Sequence, residues 1–368
     1  MNAPNKELLL LITLTNIPKV GDIVAKNLIS YCGDIESVFK EPLRNLMKIP
    51  GIGEVVARNI REANFSWAEQ ELAFIEKNKI QVFAYYHQTY PFRLKQFDDC
   101  PFLMYYQGDH ILNHPRTVGI VGTRNPTDYG RITCEKIMES LSKYNPLIVS
   151  GLAYGIDGVA HKKSLALSLP TVGVLGHGLD IVYPATHRSL ASKIVEQNGG
   201  LLTEFPSRTK PDKENFPMRN RIIAALSDVV IVIESKKKGG SIITAEIAND
   251  YNKDVFAVPG RLHDEFSEGC NNLIKQNKAH LIESADDIGY IMRWEEMDAR
   301  KIIQTSLFVE LDDIEKELVA LLRDEKELTI DQITYRLRKQ PSEVSSLLVN
   351  LEFKGVIRSL PGKKYILF

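Results

Sequence analysis

The chain has 368 residues and a formal net charge of −1 at pH 7, so it is long enough for two or three domains with their own cores and carries no global field of either sign. Its 44% hydrophobic and 25% charged residues exclude a disordered or fibrous chain. The four cysteines, Cys32, Cys100, Cys134 and Cys270, never approach C-x-x-C spacing, so neither a disulfide framework nor a zinc site is expected, and no metal or cofactor is called for.

Near the amino end, Glu7 precedes Leu8-Leu9-Leu10-Leu11-Ile12, a run too short to span a bilayer and with no small-residue cleavage site after it. It reads as the core face of a helix, and the protein is expected in the cytoplasm, away from membranes. Residues 1–78 form a first, helical domain containing an internal echo. Ile17-Pro18-Lys19-Val20-Gly21-Asp22-Ile23-Val24-Ala25 resembles Ile49-Pro50-Gly51-Ile52-Gly53-Glu54-Val55-Val56-Ala57. Each copy is an apolar-glycine turn opening a helix. The pattern is similar to the helix-hairpin-helix (SAM-like) module, whose glycine amides at a helix start accept a backbone phosphate. Gly51 and Gly53 are therefore candidate accessory DNA contacts, while the first copy departs from the pattern with Lys19 in place of a glycine. Such hairpins also serve purely as packing units.

A second domain spans 79–297. Residues 80–84 and 102–106 are strand candidates placed at the edge of this domain. From Thr117 onward, strand-like runs at 118–121, 147–149, 171–175, 201–203, 229–233 and 255–258 alternate with helical patterns near 128–143, 156–168, 186–197, 218–226, 241–251 and 268–277. Such alternation predicts βαβ units and a Rossmann-like, mostly parallel sheet covered on both faces. Asp228-Val229-Val230-Ile231-Val232-Ile233 suits a central strand.

The turns after these strands carry the candidate chemistry. They are Gly122-Thr123-Arg124-Asn125, Ser150-Gly151-Leu152-Ala153-Tyr154-Gly155-Ile156-Asp157, Gly176-His177-Gly178-Leu179-Asp180 and Lys236-Lys237-Lys238-Gly239-Gly240-Ser241. Glycines admit close backbone approach, and amides at a helix start favour an anion. In a parallel sheet, ligands meet the carboxyl ends of the strands, where Arg124 stands. Neither the dinucleotide fingerprint G-x-G-x-x-G nor a P-loop is present. Arg124, Arg188, Arg219, Arg221 and Lys236 to Lys238 instead lie in or beside one rim, which suits a chain of phosphates.

Catalytic candidates are few. Asp157 reads as a helix-start acid, His161 as a satisfied buried histidine, and His177 has nothing nearby to tune it as a base. Glu246, after Gly239-Gly240-Ser241, resembles the acid of Rossmann-like nucleotide-monophosphate phosphoribohydrolases, which is the enzymatic alternative. A DNA-independent interaction scaffold is the third reading.

A short apolar run at 307–311 leads into a third domain, 308–368. A helix follows at 312–323, then Thr329 to Leu337, then a third from Gln340-Pro341-Ser342-Glu343 to Phe353. Strands at 356–359 and 364–367 flank Pro361-Gly362. Three helices and a two-stranded wing form the winged-helix pattern. Its recognition slot holds Ser342, Ser345, Ser346 and Asn350, with Arg336, Arg338 and Lys339 just before, and its partner is duplex DNA or a protein.

The central motifs carry a resemblance. Gly119-Ile120-Val121-Gly122-Thr123-Arg124, the Ser150 to Asp157 turn with His161, Gly178-Leu179-Asp180 followed by Tyr183-Pro184, Phe216-Pro217-Met218-Arg219-Asn220-Arg221, Gly239-Gly240-Ser241-Ile242-Ile243-Thr244-Ala245 and Val258-Pro259-Gly260 are similar to the DNA-processing protein DprA/Smf family over about 80–290. The resemblance implies a non-enzymatic homodimer that binds and protects incoming single-stranded DNA. It also implies loading of RecA recombinase onto that DNA, in natural transformation and recombination. The implied contacts are Arg124, Gly151, Gly178, Arg188, Arg219, Asn220, Arg221, Gly240, Ser241 and Thr244, with Lys236 and Lys237 as accessories; Arg188 stands close to a family lysine position.

Overall fold

The computed structural model describes residues 3–294, 312–325, 328–337, 339–354, 356–360 and 364–367. They fall into two units, Met1–Met297 and Asp298–Phe368.

The first unit opens with six helices: α1 (Ala3–Thr15), α2 (Asp22–Cys32), α3 (Ile35–Lys40), α4 (Leu43–Leu46), α5 (Glu54–Arg61) and α6 (Ser66–Lys77). The two echoing turns have the same backbone, since Lys19 (φ 68°) takes the left-handed conformation that Gly51 (φ 85°) takes in the second copy. Gly21 and Gly53 then sit as extended N-caps of α2 and α5. The lysine thus preserves the turn, at the steric cost of a Cβ in left-handed space. Leu9, Leu11 and Ile12 of α1 join a core with Phe102, Leu103 and Tyr105, so the apolar run packs the helices against the sheet edge. Two carboxylates, the buried Glu71 and the half-buried Asp22, fasten that contact. Glu71 accepts the Ser207 backbone N–H (2.9 Å) and hydroxyl, and Asp22 accepts the Phe102 N–H (2.7 Å).

The sheet contains β1 (Gln81–Ala84), β2 (Leu103–Gly108), β3 (Thr117–Val121), β4 (Leu147–Gly151), β5 (Thr171–Val174), β6 (Gly200–Thr203), β7 (Val229–Val232), β8 (Asp254–Ala257) and β9 (His280–Leu281). Its order is β1-β2-β6-β5-β4-β3-β7-β8-β9, with all neighbours parallel from β6 to β9 and β1 and β2 antiparallel at one edge. The helices α7 (Asp128–Leu141), α8 (Ile156–Ala166), α9 (Arg188–Glu196), α10 (Asn215–Leu226), α11 (Gly240–Asp250), α12 (Glu268–Lys275) and α13 (Ala285–Met292) complete the unit. All four residues of β7 are fully buried, as a strand covered on both faces must be. From β3 the chain winds outward through β4, β5 and β6, then returns to the other side of β3 as β7. The order therefore reverses between β3 and β7, the place where an open parallel sheet leaves a crevice.

Three differences from the sequence expectation matter. Helix α10 starts at Asn215 rather than 218, because Pro217 sits in the first turn, where its missing N–H has no partner to lose. Helix α13, opened by a Ser284/Asp287 capping box, and the two-residue β9 were not expected.

The second unit has α14 (Asp313–Glu325), β10 (Leu328–Thr329), α15 (Ile330–Leu337), α16 (Pro341–Phe353), β11 (Ile357–Leu360) and β12 (Lys364–Leu367). Its sheet runs β10-β12-β11, so the wing gains a third short strand, and Leu318, Leu322, Ile333, Val344, Leu348 and Leu351 form the core of a winged helix. In the recognition slot the Ser345 and Ser346 hydroxyls donate back to Pro341 O and Ser342 O. The short run 307–311, Arg338 and the Pro361-Gly362 turn lie outside the described residues. Among the described residues no helix is long and apolar enough to cross a membrane.

Candidate nucleic-acid interface

The β3–α7 turn is fixed from three sides. The Thr123 N–H donates to Glu234 O (2.7 Å), and Thr123 O accepts the Ile156 N–H (3.2 Å). The Glu234 carboxylate accepts both the Thr127 N–H (2.9 Å) and hydroxyl (2.6 Å), closing the start of α7. Gly155 (φ 80°) lets the β4–α8 loop lie against this turn, since a Cβ there would stand 2.2 Å from Thr123 O. The outcome is an exposed Arg124 with no carboxylate partner among the described residues, its guanidinium carbon 5.4 Å from the centroid of the Phe216 ring.

Arg124 stands on the rim of a cleft of about 650 Å³ at the strand-order reversal. One wall is the β3 turn. The opposite wall is the start of α11, where Gly239 is the N-cap and no side chain caps the first amides. Lys213, Phe216 and Asn220 come from the approach to α10 and its first turns, Tyr183 from the loop between β5 and α9, and Lys236 and Lys238 from the loop before α11. Lys236 pairs with Glu265 at 2.6 Å, whereas Lys213 and Lys238 are exposed with no carboxylate partner among the described residues. Ser241 and Thr244 line the floor, mostly buried. The Ser241 hydroxyl donates to Ser235 Oγ (2.8 Å) and that of Thr244 to Gly240 O (3.4 Å).

Several expected contacts stand elsewhere. Arg221 faces away from the cleft: it donates to Asp99 O, pairs with Glu204, and lies 3.6 Å from Asp22 of the helical region. Residues two apart on a helix point about 200° from each other, so Arg219 and Arg221 cannot both serve the cleft. Arg219 does line it, but as a buried group under Gly151, donating to Val174 O (2.6 Å). Its Nε has no hydrogen-bond partner among the described residues. Gly151 thus makes room for Arg219 rather than for a ligand. Gly178 packs against Pro206 and Ser207, Arg188 is exposed at the start of α9 and does not line the cleft, and Lys237 faces Glu268 (3.6 Å) outside it. Gly51 and Gly53 belong to the helical region and do not line the cleft.

The buried groups beneath the cleft are electrostatically matched. Burial pushes the Asp157 carboxyl up to about 6 against the opposing pull of Arg219, and burial lowers the Arg219 pKa while Asp157 resists. Burial holds His161 down to about 4. As a neutral ring it donates Nε2–H to Gly151 O (3.2 Å) and accepts the Thr171 hydroxyl at Nδ1 (2.7 Å). His177 is likewise buried, lowered by burial, with Nδ1 2.9 Å from Gly178 O. Glu246 is exposed, 3.8 Å from Lys278, and does not line the cleft, so the phosphoribohydrolase reading loses its carboxylate.

Lys213 is not among the sequence motifs, and Tyr183 and Phe216 stand in them without being expected contacts. For Lys213 and Phe216 the signal is the helix start at Asn215. Beginning α10 there puts Phe216, Arg219, Asn220 and Ile223 on one face by their spacing of three and four.

A family model described as DNA recombination-mediator protein A matches residues 81–293, more than half of the chain. The chain belongs to this family. A DprA winged-helix model matches 308–363 and a helix-hairpin-helix model 10–70. The DNA processing protein DprA of Bacillus subtilis is 41% identical over 238 residues, covering 64% of this chain and 78% of that protein. Protein Smf of Escherichia coli is 32% identical over 297 residues, covering 80% and 79%. Among solved structures, DprA of Streptococcus pneumoniae aligns with a TM-score of 0.67 and 31% identity, covering 80% of this chain and 99% of that one. DNA processing protein A of Helicobacter pylori, described with a single-stranded DNA binding mode, aligns with a TM-score of 0.53 and 31% identity, covering 59% and 98%.

Proposed function

We propose that the protein binds single-stranded DNA in the cleft at the strand-order reversal. Phosphates are held by Arg124, Lys213, Lys238 and the free amides of Gly240 and Ser241, with a base on the Phe216 ring. The observation that carries this reading is Arg124 itself, an arginine with no carboxylate partner among the described residues, over the half-buried Phe216 ring at the rim of a cleft whose far wall is a helix start without a side-chain cap. Cations strung along a groove beside aromatic faces are the ordinary means of holding a single strand with little base readout. The ssDNA binding mode of the Helicobacter pylori relative supports the same ligand.

Membership of the recombination-mediator family supports the wider role: a non-enzymatic homodimer that protects incoming strands and loads RecA recombinase onto them, with the winged helix engaging duplex DNA or a protein. Gel-shift titrations with single- and double-stranded oligonucleotides, wild type against Arg124→Ala, test the cleft. Single strands should be preferred, and the variant should bind more weakly with a salt slope lower by about 0.7, the share of one phosphate on a single strand. Unchanged affinity and slope in the variant would defeat the proposal.

A further inference from the structure

We infer that the single strand does not end at Arg124 but continues over it into a second basic groove running along α7, α8 and α9. The inference rests on the cleft reading above and extends the length of polymer held. Arg124 and Asn125 form a ridge shared by the first cleft and a neighbouring groove of about 740 Å³. Beyond the ridge that groove is lined by Arg131, Tyr154, Lys162 and Lys163, with Glu135 as the one carboxylate in its lining. It passes into a depression of about 460 Å³ between α8 and α9, which shares Lys162 and His187 with it and has Lys193 on its wall.

The charges along this track differ in how free they are. Arg131 lies 3.0 Å from Asp128, and Lys163 pairs with Glu139. Lys162 and Lys193 are exposed and have no carboxylate partner among the described residues. Each is therefore placed to release counterions to a passing phosphate. At the crossing, Tyr154 is 47% exposed and set edge-on to His187 with centroids 5.5 Å apart. Tyr154 lines both this groove and the apolar nook beside Phe216, so an aromatic platform stands where the strand would turn from one channel to the other. A free mononucleotide would need one such station; a second channel joined to the first through Arg124 suits a polymer.

The test compares an oligothymidylate of about 6 nucleotides with one of about 16, a span typical of single-strand binding sites. Fluorescence anisotropy at several salt concentrations is read for wild type and for Lys162→Ala/Lys193→Ala. Both side chains are exposed, and a thermal melt confirms folding. The short oligomer should bind both proteins equally. The long one should bind wild type more tightly, and the double variant should lose that gain, with a salt slope on the long oligomer lower by about 1.4, or about 0.7 for each phosphate released. A variant that binds the long oligomer with wild-type affinity and slope overturns the extension while the cleft reading stands. If wild type binds neither oligomer, the cleft reading falls and the extension with it.

Discussion

Arg219 Nη1 lies 1.8 Å from where a Cβ on Gly151 would stand. The last residue of β4 is thus fitted to a buried guanidinium on α10, and that guanidinium faces Asp157 at the start of α8. Three elements of the cleft depend on one close approach. Gly151→Ala should push Arg219 off Val174 O and shift its charge away from Asp157. Losing a buried hydrogen bond from a charged donor costs about 1.5–3 kcal/mol, so chemical denaturation should show a loss of that order, together with weaker single-strand binding. A variant with wild-type stability would show that α10 yields easily.

Phe216 separates stacking from charge. Replacing it with alanine removes an aromatic face but no cation, so single-strand affinity should fall by the equivalent of about 1–3 kcal/mol per stacked base. The dependence of log K on log salt should stay as in wild type. Phe216→Tyr should retain most of the affinity. A change in slope on Phe216→Ala would mean the ring acts by positioning Arg124, 5.4 Å away, rather than by meeting a base.

Arg221 yields the opposite pattern. Its side chain is 14% exposed and Glu204's 8%, with Asp22 and the Asp99 carbonyl completing the cluster. Burial raises the Glu204 pKa to about 7 even though Arg221 pulls it down. Arg221→Ala leaves those carboxylates facing one another and should destabilise the protein by about 3–5 kcal/mol. Single-strand affinity, measured well below the melting temperature, should stay within about two-fold of wild type because the residue is outside the cleft. A large loss of binding at unchanged stability would return Arg221 to the strand path.

The contrast between these neighbours shows where the sequence was legible. The βαβ alternation, the Arg124 turn and the glycine pair before α11 are local patterns, and they placed the sheet, the rim and the uncapped helix start. Arg219-Asn220-Arg221 is one cationic run in the sequence, although helical geometry parts its arginines by about 200°. That separation was legible in the spacing alone. The burial of Arg219 was not, because it depends on Gly151 and Val174, both more than forty-four positions away in the chain and adjacent only once β4 and β5 pair. Lys213 and Phe216 were hidden by Pro217, which reads as a helix boundary but here occupies the first turn. Lys19 reads as a departure of the first helical turn from the glycine pattern, yet it takes the backbone conformation expected of glycine there.

His161 and Asp157, one turn apart on α8, should respond to pH in opposite senses. The His161 pKa is lowered to about 4 from its ordinary value, so between about 6.5 and 4 the unfolded chain takes up a proton that the folded one refuses. Its contribution to stability is thus complete at neutral pH and is lost as the pH falls through this window, by roughly 3 kcal/mol. The Asp157 pKa is raised to about 6, so the folded state holds that proton more tightly, and acidification through about 6 to 4 favours folding. The two slopes offset each other in the wild-type protein, and a single melting profile would conceal both. The difference between wild type and His161→Asn isolates one of them. The variant should be least stable relative to wild type at pH 7, and the gap should close by roughly 3 kcal/mol toward pH 4. Denaturant melts of the two proteins at pH 4, 5, 6 and 7 read this directly. A gap that stays constant with pH would mean that His161 is held by its Gly151 and Thr171 hydrogen bonds without any penalty on its charged form.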